Sequence, residues 1–239
     1  MEHVLEELDY QQTPLGDISL RRRSEPKING EILYEVKLGD EFLMSSLFTE
    51  AEIQLATLAL ATQHSQKLDV VVGGLGLGYT AVAVLKNPAV ASLAVIEIMA
   101  PVIDWHQTGL VPLGEELVSN PKCSLLHGDF FELATGKGSF DAQDRFKRVD
   151  VVLLDIDHSP SHWLSPGNRS FYTSHGLQCL KAKILPGGVF GMWSNDPPDS
   201  EFNALLESVF GSASAHIVRF SNPYTDSDSS NTVYLALVQ

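Results

Sequence analysis

The chain has 239 residues and a hydrophobic fraction of 44%, enough to build one sizeable domain with a small appendage but not two full domains. Its formal net charge of −14 argues against a nucleic-acid partner, because a protein that binds nucleic acid needs a basic face. An acidic protein can attract a cationic small-molecule substrate such as an amine, or its charge can serve solubility alone. No apolar run approaches the roughly 20 residues that span a bilayer, and Met1 to Glu7 lack the pattern of a signal peptide, so we expect a cytoplasmic protein with no membrane partner.

The first 48 residues predict a small antiparallel β unit. Apolar residues alternate with polar ones in residues 15–20 and 31–38, and Gly39-Asp40 supplies a turn. A helix is predicted to follow, because Thr49 and Glu52 have the spacing of a capping box. We therefore expect an N-terminal β-hairpin unit in residues 1–48 and a main domain in residues 49–239.

From residue 68 onward, short apolar strands alternate with helices. This alternation predicts an α/β, Rossmann-like, doubly wound and mostly parallel sheet of seven strands. Ligands bind such sheets beyond the carboxyl ends of the strands. The predicted strands are residues 68–72, 93–98, 124–126, 149–154, 189–193, 217–220 and 232–237, and the predicted helices include residues 80–85, 173–185 (stopped by Pro186-Gly187-Gly188) and 200–209.

A glycine-rich turn follows the first strand of this alternation. Gly73, Gly74, Gly76 and Gly78 lie within six positions, between a strand and a helix. Glycines let a ligand approach the backbone closely, and the first N–H groups of the helix are free to bind it. The turn predicts a nucleotide site, the alternative being a tight turn without a ligand.

Acidic residues at the ends of the next two strands define the nucleotide further. Glu97 is placed to accept hydrogen bonds from ribose hydroxyls, with Ile98 beside it. Asp129 is placed to accept from an adenine amino group, and Phe130 to pack on the ring. Glu97 and Asp129 have alternative roles as helix caps, and Phe130 as a core residue. Together the three strand ends favour an adenosyl cofactor.

At these motifs the sequence resembles the class I S-adenosylmethionine-dependent methyltransferase fold and, within it, the spermidine synthase-like group. The resemblance covers most of the chain: the N-terminal β unit, the glycine motif, Val95-Ile96-Glu97, Gly128-Asp129 and the strand ending at Asp155. It implies S-adenosylmethionine or its decarboxylated form as cofactor, transfer of an aminopropyl or methyl group to a small, possibly cationic amine, and a homodimer. It also implies that Asp155 is the carboxylate that removes a proton from the acceptor.

The acceptor side departs from the family pattern. The loop Asp155-Ile156-Asp157-His158-Ser159-Pro160 replaces an Asp-Ser-Ser-Asp-Pro type loop. The amine-binding acid of the family therefore has no direct equivalent, and Asp157 and His158 are the candidates to replace it. Residues 44–48 replace a Tyr-His-Glu segment, which puts putrescine in doubt as the acceptor. Tyr172 and Trp193 are further candidates for the substrate pocket, together with His162 and Trp163.

Three other functions compete with this interpretation. Asp155 and Asp157, with Asn195-Asp196, resemble the acids of cation-dependent O-methyltransferases, whose oxygen ligands suit Mg²⁺, although we predict no metal. The spacing of Gly76, Gly78 and Ala81 also fits an NAD fingerprint formally. A non-catalytic nucleotide-binding protein that kept the fold is the third.

Overall fold

The N-terminal part of the chain forms a four-stranded antiparallel sheet, in a computed structural model that describes residues 4–239. Residues 1–3, part of the predicted β unit and of the N-terminus predicted to lack a signal, lie outside the described residues. The prediction of a hairpin missed the first strand, whose residues are mostly polar and exposed on both faces. The strands run in the order β1 (Leu5–Thr13), β2 (Gly16–Glu25), β3 (Glu31–Leu38) and β4 (Glu41–Ser45).

The main sheet has seven strands, and the predicted fold class is confirmed. Five strands are parallel to their neighbours, and the C-terminal hairpin adds two antiparallel strands at one edge. Across the sheet the order is β10-β11-β9-β8-β5-β6-β7. The strands are β5 (Leu68–Gly73), β6 (Val90–Glu97), β7 (Cys123–His127), β8 (Val149–Leu154), β9 (Ile184–Ser194), β10 (Gly211–Phe220) and β11 (Ser229–Val238).

Helices connect these strands, and the core divides into two apolar clusters. One contains Leu55, Leu77 and Trp105, and the other contains the rings of Phe190 and Phe210. The central strands are buried between the two clusters, as their almost wholly apolar sequences predict. No helix in residues 4–239 is long and apolar enough to cross a membrane. The helices are α1 (Glu50–Ala61), α2 (Tyr79–Leu85), α3 (Ala100–Gln107), α4 (Gly114–Val118), α5 (Phe130–Thr135), α6 (Ser174–Lys181) and α7 (Ser200–Phe210).

Two local predictions were wrong. Pro186-Gly187-Gly188 does not end a helix: α6 ends at Lys181, and the three residues lie within β9, where the pairing with β8 shifts register between Ile184 and Val189. Thr49 is the N-cap residue of α1, but its side chain makes no capping hydrogen bond, so the capping box with Glu52 does not form. The division at residues 48/49 stays a prediction, with β4 ending at Ser45 and α1 beginning at Glu50.

The sheet order fixes where a ligand can bind. From β5 the chain proceeds to β6 and β7 on one side, then returns to place β8 on the other side. Such a reversal opens a crevice at the carboxyl ends of the two central strands. The crevice lies where β5 runs into the glycine turn and β8 into Asp155, whose N–H donates to the carbonyl of Gly73 at 2.8 Å.

Candidate active site

A cavity of about 750 Å³ lies at this crevice. The N-terminal sheet closes one side with β3, β4 and the segment that follows, and the ends of β5, β6, β8 and β9 form the floor. The volume is in the range that holds a drug-sized ligand or cofactor. The predicted site residues can therefore be placed relative to one cavity.

Two of the four glycines line the cavity and two support it from behind. Gly74 and Gly76 are in its wall with positive φ angles of 95° and 49°. A Cβ on Gly74 would lie 2.2 Å from the carbonyl oxygen of Asp155, so the turn and β8 can approach this closely only with glycine there. Gly73 and Gly78, also predicted to bind the cofactor, do not line the cavity: a Cβ on Gly73 would meet the Phe130 ring at 2.5 Å and one on Gly78 the Leu117 side chain at 2.8 Å.

The amides of the turn already have partners within the protein. Gly74 N–H donates to Ile96 O and Gly78 N–H to Leu75 O. Leu75 N–H donates to a Glu97 carboxylate oxygen at 3.0 Å, and the Gly76 amide also stabilises that carboxylate. The Leu77 N–H points at Met44 Sδ, 3.1 Å away. The turn can therefore contact a ligand through its close-lying backbone, but it provides few free hydrogen-bond donors.

Glu97 lines the cavity at the end of β6. Its second carboxylate oxygen accepts from Met99 N–H at 2.9 Å. Burial raises the pKa of Glu97 above its ordinary value, and the amides of Met99 and Leu75 oppose this rise. Each carboxylate oxygen has two lone pairs, so both retain capacity for ribose hydroxyls. Ile98 lies next to it in the wall and is 40% exposed.

Asp129 lines the same side of the cavity and also caps α5. Its Oδ1 accepts from Phe131 N–H at 2.8 Å and Glu132 N–H at 3.2 Å, which leaves Oδ2 for a ligand. Phe130 reaches the wall but is buried in an aromatic cluster, where its ring is 6.0 Å from that of Phe140. Phe131 is half-buried and also lines the cavity, so it is the more accessible ring beside Asp129.

Asp155 stands at the centre of the crevice. Its Oδ2 accepts a hydrogen bond from the Thr80 hydroxyl at 2.6 Å. Burial raises the pKa of Asp155 to about 6, and the Thr80 hydrogen bond opposes the rise. A carboxylate with a pKa near neutrality is suited to accept a proton from a bound acceptor.

Glu52 is the cavity residue that sequence reasoning missed as a site residue. It lies in the first turn of α1 and lines the cavity with only 9% of its surface exposed. Burial, and secondly the charge of Asp155, raise the pKa of Glu52 to about 8. The sequence signal was present, since a capping-box acid was identified at this position, but the packing of α1 directs this side chain to the cavity.

Asp157 and Tyr172, both predicted to bind substrate, do not line the cavity. Asp157 is 1% exposed, and its carboxylate accepts from Leu164 N–H at 2.8 Å, Asn168 Nδ2 at 2.9 Å and Tyr172 Oη at 2.7 Å. Burial raises the pKa of Asp157, with those three hydrogen bonds opposing the rise. The side chain anchors its own loop behind the cavity wall. Trp163 likewise bonds its own loop, through Pro160 O, and does not line the cavity.

His158, His162 and Trp193 do line the cavity. His158 Nε2 lies 2.7 Å from a Glu41 carboxylate oxygen, which joins the loop after β8 to the N-terminal sheet. The two histidine rings are 4.9 Å apart. Trp193 Nε1 is buried and has no hydrogen-bond partner among residues 4–239.

The geometry does not assemble the acids of a cation-dependent O-methyltransferase. Both oxygens of Asp157 are committed to the loop, and Asn195 Oδ1 accepts from Asn231. Within the described part of the chain, no group of three or more His, Cys, Asp or Glu side chains is arranged to hold a metal ion.

The fold, a Rossmann-like sheet preceded by an antiparallel N-terminal sheet, is shared with solved spermidine synthases, so the predicted resemblance is confirmed at the level of the fold. No family model matches the chain. Each similar structure below covers 98% of this chain. They are spermidine synthase from Thermotoga maritima (17% identity, 72% of that chain, TM-score 0.72), a spermidine synthase in complex with the transition state analogue AdoDATO (17%, 74%, 0.75) and a probable spermidine synthase from Corynebacterium glutamicum ATCC 13032 (15%, 80%, 0.63).

Proposed function

We propose that this protein is an aminopropyltransferase, which moves the aminopropyl group of decarboxylated S-adenosylmethionine to a small primary amine. One observation carries the proposal: four carboxylates line the cavity, and no Lys or Arg does so among the residues that the structure describes. Both substrates of this reaction are cations, and an anionic cleft concentrates and binds cations. The four carboxylates belong to Glu52, Glu97, Asp129 and Asp155.

The nucleoside part of the donor fits the side of the cavity formed by β6 and α5. Glu97 has acceptor capacity for ribose hydroxyls, and Asp129 Oδ2 for an adenine amino group. Ile98 and Phe131 supply apolar wall on either side. The donor set therefore matches an adenosyl group, and it is shared by S-adenosylmethionine and its decarboxylated form.

The decarboxylated donor is favoured by the remainder of the wall. S-adenosylmethionine ends in a carboxylate, which needs a cation or free N–H groups. The turn amides are taken by partners such as the Glu97 carboxylate and Met44 Sδ, and the nearby side chains of Asp155 and Glu52 are acids that offer no cation to a carboxylate. The decarboxylated form ends in an ammonium group, which these carboxyl groups can bind.

Asp155 is the residue that prepares the acceptor. The donor supplies a carbon bonded to a sulfonium, which is open to in-line displacement. An amine attacks only as the neutral base, so the ammonium must first lose a proton. Asp155 accepts that proton, and Thr80 fixes the carboxylate by its hydrogen bond to Oδ2. The same pair orients the amine nitrogen toward the reacting carbon.

Calorimetric titration with the two sulfonium compounds and methylthioadenosine tests the donor. We expect the decarboxylated compound to bind more tightly than S-adenosylmethionine by roughly tenfold or more, because like charges cost free energy. Equal or tighter binding of S-adenosylmethionine would overturn the donor assignment and favour methyl transfer. Binding of NAD in place of the sulfonium compounds would restore the NAD interpretation.

Turnover with primary amines, followed by release of methylthioadenosine, tests the reaction. We expect Asp155→Asn to lower kcat by about 10²–10⁴-fold while methylthioadenosine still binds. Absence of turnover with every amine would favour a non-catalytic nucleotide-binding protein. The homodimer and the cytoplasmic location stay predictions, the first of which light scattering checks.

A further inference from the structure

Glu52 is a largely buried carboxylate that receives no hydrogen bond from another residue within the described part of the chain, its own backbone amide being the donor that stabilises it. It is 91% buried, yet none of the side-chain hydrogen bonds of residues 4–239 ends on its carboxylate. A carboxylate that is largely removed from water and has no donor from another residue costs free energy, and such a group in a cavity wall points to a ligand. Since Glu52 lines the cavity, its carboxylate has the cavity as its open side.

Thr80 donates to the Asp155 carboxylate and contacts the backbone of Glu52, but it does not reach the Glu52 carboxylate. Its hydroxyl donates to Asp155 Oδ2 at 2.6 Å and lies 3.4 Å from the backbone carbonyl oxygen of Glu52. A hydroxyl has one proton to donate, whereas an ammonium group has three. Since both carboxylates line the cavity, an ammonium group beside Asp155 has donors to spare for Glu52.

We propose that Glu52 and Asp155 together bind the ammonium group of the acceptor, and that Glu52 selects a cationic amine over a neutral hydroxyl acceptor. The proposal rests on the proposed function and extends it to the identity of the reacting group. Asp155 takes the proton, and Glu52 holds and orients the amine through a second hydrogen bond. The loop after β8 has no direct equivalent of the family's amine-binding acid, and Glu52 on α1 takes over that role.

A change in protonation accompanies this binding. In the empty cavity burial raises the pKa of both carboxyl groups, and the charge of Asp155 adds to the rise at Glu52; with pKa values of about 6 and about 8 the pair retains about one proton at pH 7. An ammonium ion favours the ionised form of both, so its binding releases that proton. The charged and titratable groups that face the pair are Glu50 and Tyr79 nearby, Glu97 and Asp129 on the nucleoside side, and His158 and His162 on the loop after β8.

Titration calorimetry with 1,4-diaminobutane, on protein saturated with methylthioadenosine, measures this proton. Runs at pH 7 in two buffers of different ionisation enthalpy give the number released. We expect about one proton from the wild type and close to none from Glu52→Gln, together with a roughly 10- to 100-fold weaker affinity in the variant. The matched control is Glu207→Gln, an exposed acid on α7 that does not line the cavity, which we expect to behave as the wild type.

Steady-state kinetics separates this role from a structural one. We expect Glu52→Gln to raise KM for the diamine by a similar factor while KM for the sulfonium donor is unchanged, and Glu52→Asp to recover part of the loss. Wild-type values of proton release and diamine KM in Glu52→Gln would overturn the role of Glu52 and leave the transferase intact. A wild-type protein that turns over no amine would overturn the transferase itself.

Discussion

The buried carboxyl groups of Glu52 and Asp155 should affect stability and activity in opposite directions, so that a variant with lower activity is more stable. We expect Glu52→Gln to stabilise the unliganded protein at alkaline pH. The rise in the pKa of Glu52 from 4.5 to about 8 corresponds to about 5 kcal/mol, at about 1.4 kcal/mol per pKa unit. Asp155 shares this cost and the Gln amide must also lose water, so we expect a gain of roughly 1–3 kcal/mol in the free energy of unfolding.

The pH dependence identifies the cause. In the unfolded chain Glu52 ionises near pH 4.5, and in the folded chain near pH 8. The folded state therefore becomes less stable as pH rises between these values, and the full cost is present above pH 8. The variant should match the wild type near pH 4.5 and exceed it increasingly up to pH 8.

Thermal unfolding of both proteins, followed by circular dichroism from pH 5 to 9, makes the measurement. For a chain of this size the gain corresponds to a rise in Tm of roughly 2–10 °C at pH 8. Glu207→Gln is the control, because Glu207 is exposed and does not line the cavity. A Tm difference that is constant with pH, or a less stable variant at pH 8, would refute the burial of an uncompensated charge.

Three further predictions concern the supports of the site. Asp157→Asn weakens three buried hydrogen bonds, so we expect it to lower the free energy of unfolding by roughly 2–4 kcal/mol in urea titration. The folded variant should keep the KM of the wild type for the diamine. A large change in KM with normal stability would show that Asp157 belongs to the substrate site. Gly73→Ala places a methyl group 2.5 Å from the Phe130 ring, so we expect the free energy of unfolding to fall by roughly 1–3 kcal/mol in the same urea titration. The control is Gly138→Ala, whose added methyl group has no atom within 4 Å and which should leave the stability unchanged. Gly76→Ala strains the backbone, because φ is 49° at this position, and the added methyl group would lie 2.4 Å from Met44 Sδ. We therefore expect calorimetry to show weaker binding of methylthioadenosine. An unchanged affinity would mean that the turn does not contact the nucleoside.

The sequence alone determined the fold and the acids at the strand ends. Apolar strands alternating with helices require a sheet covered on both faces, and the residue that follows each strand then lies at the same edge of the sheet. Glu97, Asp129 and Asp155 were placed by this local rule, and the structure brings all three to one cavity. Their roles in binding and transfer stay proposals.

Only the tertiary structure decided which carboxylates face the cavity. Asp155 and Asp157 are two residues apart on one loop, yet Asp157 turns to Asn168 and Tyr172 while Asp155 turns to Thr80. Glu52 is 103 positions from Asp155 and reads as a capping residue, but the packing of α1 directs it into the same cleft. The direction of a loop or helix side chain depends on partners distant in sequence, and spacing along the chain carries no information about them.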